Sequence, residues 1–67
     1  MSRMVLFQCV RLLTDRYAAR GVKKGDIGVI LEVYDESHFE IEFSDARGRT
    51  IAFFAVTAGE LEPVEAN

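Results

Sequence analysis

The residues best suited to bind another molecule are basic side chains with one aromatic ring among them, in the segment 14–24, here called the basic loop. They are Arg16, Tyr17, Arg20, Lys23 and Lys24. Basic side chains beside an aromatic ring can hold a nucleic-acid backbone and stack a base. They can equally contact an acidic protein, or remain solvated without a partner. The sequence leaves these interpretations open, and the acidic residues elsewhere make nucleic acid the least favoured partner.

The sequence offers little for catalysis, because it contains one histidine and one cysteine. His38 lies in an acidic turn near Glu36 and Glu40, and a metal site or a general base needs convergent partners that this turn does not supply. Cys9 lies in an apolar segment, which predicts a small core residue rather than a reactive thiol. We therefore predict a protein that is not an enzyme, without catalytic residues, metal ligands or cofactors.

Three glycines are predicted to shape the backbone. Gly25 and Gly28 flank the start of the β-branched segment that begins at Ile27. A phosphate-binding glycine loop leads into the N-terminus of a helix instead. We therefore interpret Gly25 as a tight-turn residue and Gly28 as a bend. Gly48 lies in the polar segment 44–49, where a turn favours a residue that adopts positive φ.

Length and composition predict one small domain that associates with another chain. The chain has 67 residues, of which 49% are hydrophobic, and a domain of this size has little core in which to bury them. We expect a single domain over residues 1–67, with 65–67 frayed. The apolar surplus is expected to be buried in a homo-oligomer or against a protein partner. Nothing in the sequence suggests a small-molecule substrate.

The predicted compartment is the cytoplasm. A lone cysteine excludes an internal disulfide and favours a reducing environment. The apolar segment at residues 4–7 is too short for a signal peptide. No segment reaches the roughly 20 apolar residues that a membrane helix needs, so no membrane association is expected.

Charge is unevenly distributed along the chain. Residues 1–24 hold six basic side chains and one acidic side chain, whereas residues 25–67 hold two basic and ten acidic ones. If the two halves stay apart in space, the molecule has a positive and a negative side that can steer a charged partner. If strands from both halves pair with each other, the asymmetry averages out.

Five segments are predicted to be strands. Residues 39–44 alternate most clearly, with Phe39, Ile41 and Phe43 on one face and an acidic, solvent-exposed face opposite. The other four are residues 4–13, 27–34, 50–56 and 61–64. The basic loop is predicted to be a loop rather than a short helical turn, and residues 57–60 a single 3₁₀ turn. Pro63 suits an edge strand, because it has no N–H to donate.

Two of these strands are apolar on both faces, so the sequence alone does not decide which face is inward. The faces of strand 50–56 are Ile51, Phe53 and Ala55, and Ala52, Phe54 and Val56. We predict Phe54 outside, as a candidate partner-binding residue, whereas the reverse arrangement would expose Phe53. The outer face predicted for the first strand is Met4, Leu6, Val10 and Leu12. These faces are expected to form an interface, unless the basic loop folds over one of them.

Three segments carry a resemblance to known proteins. They are Gly21–Tyr34, the apolar strand Ile51–Val56 and the closing Leu61-Glu62-Pro63. Together they resemble a small bacterial family of SH3-like barrels of unknown function, over residues 8–64. The layout is similar to the β-subunit barrel of nitrile hydratase and, more loosely, to KOW domains. The resemblance implies an all-β, five-stranded SH3-like barrel, with a long loop after the first strand and a 3₁₀ turn before the last.

The resemblance implies an interaction module rather than a defined activity. Nitrile hydratase holds its metal on another subunit, so no catalytic residue transfers to this chain. KOW domains that bind RNA are usually basic, whereas this chain has a net charge of −3. The leading hypothesis is a non-enzymatic protein-interaction module that docks through its exposed apolar strand faces. The alternatives are a weak KOW-like nucleic-acid-binding module and an accessory subunit of a larger enzyme.

Overall fold

The protein is all-β, as predicted, and its strands form one antiparallel sheet. The computed structural model describes residues 4–65. The strands are β1 (Cys9–Leu12), β2 (Ile27–Val33), β3 (His38–Ser44), β4 (Thr50–Thr57) and β5 (Leu61–Pro63). Their order across the sheet is β4-β3-β2-β1-β5. The first strand therefore joins the last strand to the successive strands β2, β3 and β4.

Two 3₁₀ turns lie in the connections. Ala58–Glu60 precedes β5, where the sequence predicts such a turn, and Ala18–Arg20 adds a short helical turn to the basic loop. A capping box fixes the turn before β5. The Thr57 side chain accepts the backbone N–H of Glu60, and the Glu60 carboxylate accepts the backbone N–H of Thr57. This pair of hydrogen bonds explains why the chain leaves β4 so sharply.

The core is built on the alternation of β3. Phe39, Ile41 and Phe43 are all buried, as predicted, while the acidic side chains of the opposite face are half-buried between the neighbouring strands. Ile41 is opposed by Ile30 of β2 on one side and by Phe54 of β4 on the other. Because directly opposed residues share a face, this register brings Ile30 and Phe54 into the core as well.

The register of β4 shows that the predicted exposure of Phe54 is wrong. Phe54 is 8% exposed, whereas Phe53 is 60% exposed. The inward face of this strand is therefore the one that contains Phe54 and Val56, and the outward face contains Phe53. Alternation alone could not decide between them, since both faces are apolar. The pairing of Phe54 with Ile41 decides it.

The outer face predicted for the first strand is wrong at its two residues in β1, whereas Leu6, in the turn before β1, is exposed as predicted. Val10 and Leu12 are fully buried in the core. Cys9, predicted as a small core residue, is exposed. The inversion follows from the pairing of β1 with β5, in which Leu12 lies opposite the buried Leu61.

The residues before β1 form a turn rather than the strand predicted from residue 4. The N–H of Gln8 donates to the C=O of Val5 at 3.2 Å, and the Gln8 side-chain oxygen accepts the Val5 N–H at 3.1 Å. Phe7 has a φ of +67°, a left-handed conformation that is uncommon for a bulky residue. An apolar run by itself does not distinguish such a turn from a strand.

Gly28 lies where β2 passes very close to β3. A Cβ atom at this position would lie 2.6 Å from Cγ2 of Ile41 and 2.9 Å from the carbonyl oxygen of Glu42, so the packing leaves room only for glycine. Gly25 and Gly48 have φ values of +97° and +81°, in agreement with the turns predicted there.

The two edges of the sheet differ in length. β5 has three residues, pairs with β1, and contains Pro63 at the edge position predicted for it. β4 has eight residues and pairs with β3. The longer edge is therefore that of β4.

Candidate interaction surface

The basic loop is folded against the sheet rather than extended into solvent. Its Val22 side chain is buried in the core. The N–H of Leu13 donates to the C=O of Glu60, and the N–H of Gly25 donates to the C=O of Leu12, both at 2.8 Å. Both ends of the loop are thus held by backbone hydrogen bonds, and its middle by a buried valine.

One carboxylate ties the loop to the turn before β5. The Glu60 oxygen Oε1 accepts the phenol of Tyr17 at 2.6 Å and the hydroxyl of Thr57 at 3.0 Å. The guanidinium of Arg16 lies 3.1 Å from the other oxygen, Oε2. Glu60 therefore joins the loop to an element 44 residues further along the chain.

The pKa values of this pair suit the hydrogen bond between them. Burial raises the pKa of the Glu60 carboxyl, but the hydrogen bonds from Tyr17, Thr57 and Arg16 outweigh it, so the pKa lies below its ordinary value. Burial, and then the hydrogen bond to Glu60, raises the pKa of the Tyr17 phenol. At neutral pH the carboxylate is therefore the acceptor and the phenol is the donor.

The loop also covers the aromatic side chain of Phe54. The ring of Tyr17 packs on Phe54 with centroids 4.7 Å apart, and the ring of Phe43 lies 5.6 Å away on a second side. The guanidinium carbon of Arg20 is 4.4 Å from the centroid of the Phe54 ring, within the range of a cation–π contact. The interpretation in which the basic loop folds over one strand face therefore holds for the face that contains Phe54.

The two lysines of the loop lie apart from this cluster. Lys23 Nζ pairs with Oδ1 of Asp26 at 3.1 Å, and the backbone N–H of Lys24 donates to Oδ1 of Asp15 at 2.8 Å. The predicted partner-binding residues consequently separate into two groups. Those brought together in the structure are Arg16, Tyr17, Arg20 and Phe54.

The sequence analysis missed Glu60 as the residue that holds the loop. The spacing of Thr57 and Glu60 is that of a capping box, which indicates a turn but gives no sign of a second role. The partners Arg16 and Tyr17 lie far away in sequence, so only the fold brings them to the carboxylate.

β4 exposes two large apolar side chains, Phe53 on its outward face and Ile51 at its bulge. Phe53 is 60% exposed and Ile51 is 44% exposed. Ile51 also lines an open groove of about 410 Å³, with Ile27 on β2 and the aromatic ring of Phe43 among the other lining residues. Charged side chains of Lys23 and Asp26 reach this groove as well. The β4 face is therefore apolar at its centre and polar beside it.

A second exposed apolar surface is the turn before β1. Val5 and Leu6 are about half exposed, and Phe7 is 72% exposed. The N–H of Phe7 donates to the C=O of Ile30 at 2.7 Å, so the turn lies beside β2, where Leu31 is also exposed. The left-handed conformation of Phe7 costs about 1–2 kcal/mol of backbone strain. This strained, exposed turn is therefore a secondary candidate for an interaction surface.

His38 lies at the exposed hairpin between β2 and β3. Its Nδ1 is 2.9 Å from Oδ1 of Asp35, and this hydrogen bond is the largest cause that lowers the pKa of Asp35.

Within residues 4–65, the structure contains no group of three or more His, Cys, Asp or Glu side chains placed to hold a metal ion. In the same range, no helix has the length and apolar character needed to cross a membrane.

These features define a small all-β domain with an ordered basic loop and exposed apolar strand faces. The chain belongs to the family described as a domain of unknown function, DUF4926, whose model matches residues 6–63. The matched range includes all five strands described above. No curated protein and no solved structure matched the chain.

Proposed function

We propose that the protein is a non-enzymatic module that binds another protein through the outward face of β4. The observation that carries this proposal is Phe53, a large aromatic side chain that is 60% exposed in the middle of a strand. Ile51 lies two residues away and is also exposed, at the bulge where β4 has one residue more than β3. Aromatic side chains are enriched at the centres of interfaces, where they supply much of the binding free energy. A protein that covers Phe53 and Ile51 removes this apolar area from water.

The contacts of the basic loop favour β4 over the loop as the binding site. Arg16 is paired with Glu60, and Lys23 with Asp26. A stacking platform for a base needs an accessible ring face, whereas Tyr17 is half-buried against Phe54. Nucleic-acid binding by the loop therefore has less support than protein binding.

We also propose that the sheet forms an SH3-like barrel and that the protein is located in the cytoplasm. The strand order β4-β3-β2-β1-β5 and the long loop after β1 support this type of barrel. The lone cysteine is in keeping with a reducing compartment. An accessory subunit of a larger enzyme is the special case in which the protein partner is an enzyme chain.

Replacement of Phe53 tests the proposal. The tagged full-length chain captures proteins from nuclease-treated lysate of its native host, and each captured protein is purified and titrated against the wild type and Phe53→Asp. We expect Phe53→Asp to weaken binding at least about tenfold, because a carboxylate would be buried in the interface without a partner. Val33→Asp is the matched control, since Val33 is also apolar and exposed but lies on β2.

Two results would contradict the proposal. One is a partner that binds wild type and Phe53→Asp equally, which would move the interface away from β4. The other is recovery of partners only without nuclease, with an affinity that falls steeply as salt rises. That result would favour nucleic-acid binding through the basic loop.

A further inference from the structure

The backbone of β4 is an open edge of the sheet. β3 pairs with it on one side, and no described residue outside β3 forms a backbone hydrogen bond with residues 51–56. An edge of this length presents a row of N–H and C=O groups to which another strand can bind. β5, at the other edge, has three residues and includes Pro63, so it offers a much poorer template.

The hydrogen bond after β4 shows which opposed pairs of β3 and β4 are hydrogen-bonded to each other. The N–H of Ala58 donates to the C=O of Ser37 at 2.8 Å, and these two residues directly flank the opposed pair His38 and Thr57. That bond makes His38 and Thr57 a pair that is not hydrogen-bonded to each other. Hydrogen-bonded and non-hydrogen-bonded pairs alternate along an antiparallel ladder. The type of each pair from Phe39–Val56 to Phe43–Ala52 is therefore known from this one.

The alternation shows which backbone groups of β4 point to the open edge. Val56 and Phe54 direct their N–H and C=O groups at β3. Phe53 and Ala55, opposed to Glu42 and Glu40, direct theirs away from it. The side chain of Phe53 is also the most exposed large apolar group of this strand. Available hydrogen-bonding groups and exposed apolar area therefore coincide at one residue.

The edge lacks the features that usually prevent strand addition. Natural edge strands are commonly protected by lysine, proline, bulges or short length. The residues of β4 are Thr, Ile, Ala, Phe, Phe, Ala, Val and Thr, with no charge, proline or glycine among them. The exception is a bulge at one end of β4, where Ile51 lies between Thr50 and Ala52 without an opposed residue on β3, and the strand is regular from Ala52 onward.

We propose that a second copy of this chain adds its own β4 to this edge, antiparallel and around a two-fold axis. This inference rests on the proposed function, because it names the partner of the same strand. With the axis at Phe53, each outward N–H meets an outward C=O of the other copy. The two Phe53 side chains then lie opposite each other, and each Ala52 lies opposite the second copy's Phe54.

The side chains of β4 favour a second copy over an unrelated strand. Opposed aromatic side chains stabilise a strand pair, and two-fold pairing at this register places the two Phe53 side chains opposite each other. Two-fold symmetry places the same edge of both copies side by side, so an edge with charges of one sign would repel its copy. An uncharged strand has no such repulsion, and β4 is uncharged over its whole length.

Sedimentation equilibrium of the full chain, from low micromolar to millimolar concentration, tests the inference. We expect a reversible monomer–dimer equilibrium. Ala55→Pro removes an N–H that points to the open edge and leaves the hydrogen bonds to β3 in place, so it should weaken dimerisation at least tenfold while the circular dichroism spectrum stays native. Ala55→Thr keeps the N–H and a strand-forming side chain, and it should dimerise like the wild type.

Phe53→Lys is the second variant, in case Ala55→Pro does not fold. It places two ammonium groups opposite each other across the axis, so its dimer should be weaker than wild type and should recover partly as salt rises. A wild type that stays monomeric throughout, or a folded Ala55→Pro or Phe53→Lys that dimerises normally, overturns the inference. A monomeric chain whose captured partner still requires Phe53 overturns self-pairing alone and leaves the proposed function standing.

Discussion

At Gly28 a single hydrogen atom decides how closely two strands approach. The Cβ of an alanine there would lie 2.6 Å from Ile41 and 3.0 Å from the ring of Phe43. Both neighbours are buried side chains of β3, and the carbonyl of Glu42 is backbone, so none of them can move aside without disturbing the core. The tight approach at this glycine is therefore a property of the whole β2–β3 packing.

We predict that Gly28→Ala destabilises the protein by about 1–3 kcal/mol or unfolds it, because overpacking forces the strands apart. Urea unfolding measures the change. Gly59→Ala is the control, since a Cβ atom at this position would have no atom within 4 Å apart from its chain neighbours. It should be neutral or slightly stabilising through the unfolded chain. Equal stability of the two variants would show that β2 and β3 do not approach as described.

Phe53 and Phe54 show that residue types alone do not predict which side chain of a strand is buried. They are identical in chemistry and adjacent in sequence, yet one is exposed and the other is buried. Their order follows from the register with β3, where the strongly alternating Ile41 faces the core. The sequence predicts that one large aromatic is exposed on this strand, but a pattern that is apolar on both faces contains no information about which one.

At the scale of elements, the basic loop and the turn before β5 act as one unit through Glu60. The loop contributes Tyr17 and Arg16, and the turn contributes Thr57. Because the loop also covers Phe54, loss of these bonds should loosen the cover of the core as well as the loop itself.

We predict that Glu60→Gln destabilises the protein by about 1 kcal/mol, because charge-assisted hydrogen bonds become neutral ones. Amide exchange should accelerate in the basic loop more than in β3. Glu36→Gln is the control, since Glu36 lies in the exposed hairpin between β2 and β3, and it should leave both measurements unchanged. If Glu60→Gln exchanges like the wild type across the loop, the carboxylate does not hold the loop in place.

The elements differ in how well the sequence predicts them. β3 is predicted closely, because it alternates strictly and one period-2 face is apolar. β1 is predicted too long, since the apolar residues 4–7 lie before it, in a turn that a side-chain hydrogen bond of Gln8 stabilises. The basic residues of the loop are visible in the sequence, whereas their acidic partner Glu60 is a long-range contact that only the fold reveals.

At the scale of the molecule, the charge asymmetry along the sequence is reduced by pairing. Arg11 of β1 pairs with Glu62 of β5, and Arg16 pairs with Glu60. Basic residues of the first part of the chain thus meet acidic residues of its end. The interpretation in which the two halves intermix is supported at these positions.

We predict that the protein loses stability on acidification. The pKa values of four carboxyls, those of Asp26, Asp35, Asp45 and Glu60, lie below their ordinary values. Groups with a lowered folded-state pKa contribute stability above their unfolded pKa, about 4, and lose it as the pH falls through the folded value. The urea midpoint should therefore be constant near neutral pH and fall below about pH 5.

Three of these carboxyls cap turns through backbone N–H groups or neighbouring side chains, so the effect should be distributed over the molecule. Glu60→Gln should consequently make the decline shallower without abolishing it. A urea midpoint that rises between neutral pH and pH of about 3 would contradict the assignment of these groups.

The pairing of β1 with β5 has a consequence for the speed of folding. Arg11 and Glu62 are 51 residues apart in a short chain, so this pairing must close nearly the whole polypeptide into a loop. Small proteins dominated by such distant contacts fold in milliseconds to seconds, on the order of a thousand times more slowly than helical bundles. Until β5 pairs with it, β1 is a second open edge of the sheet, and the folding chain is most prone to associate with other chains during that interval.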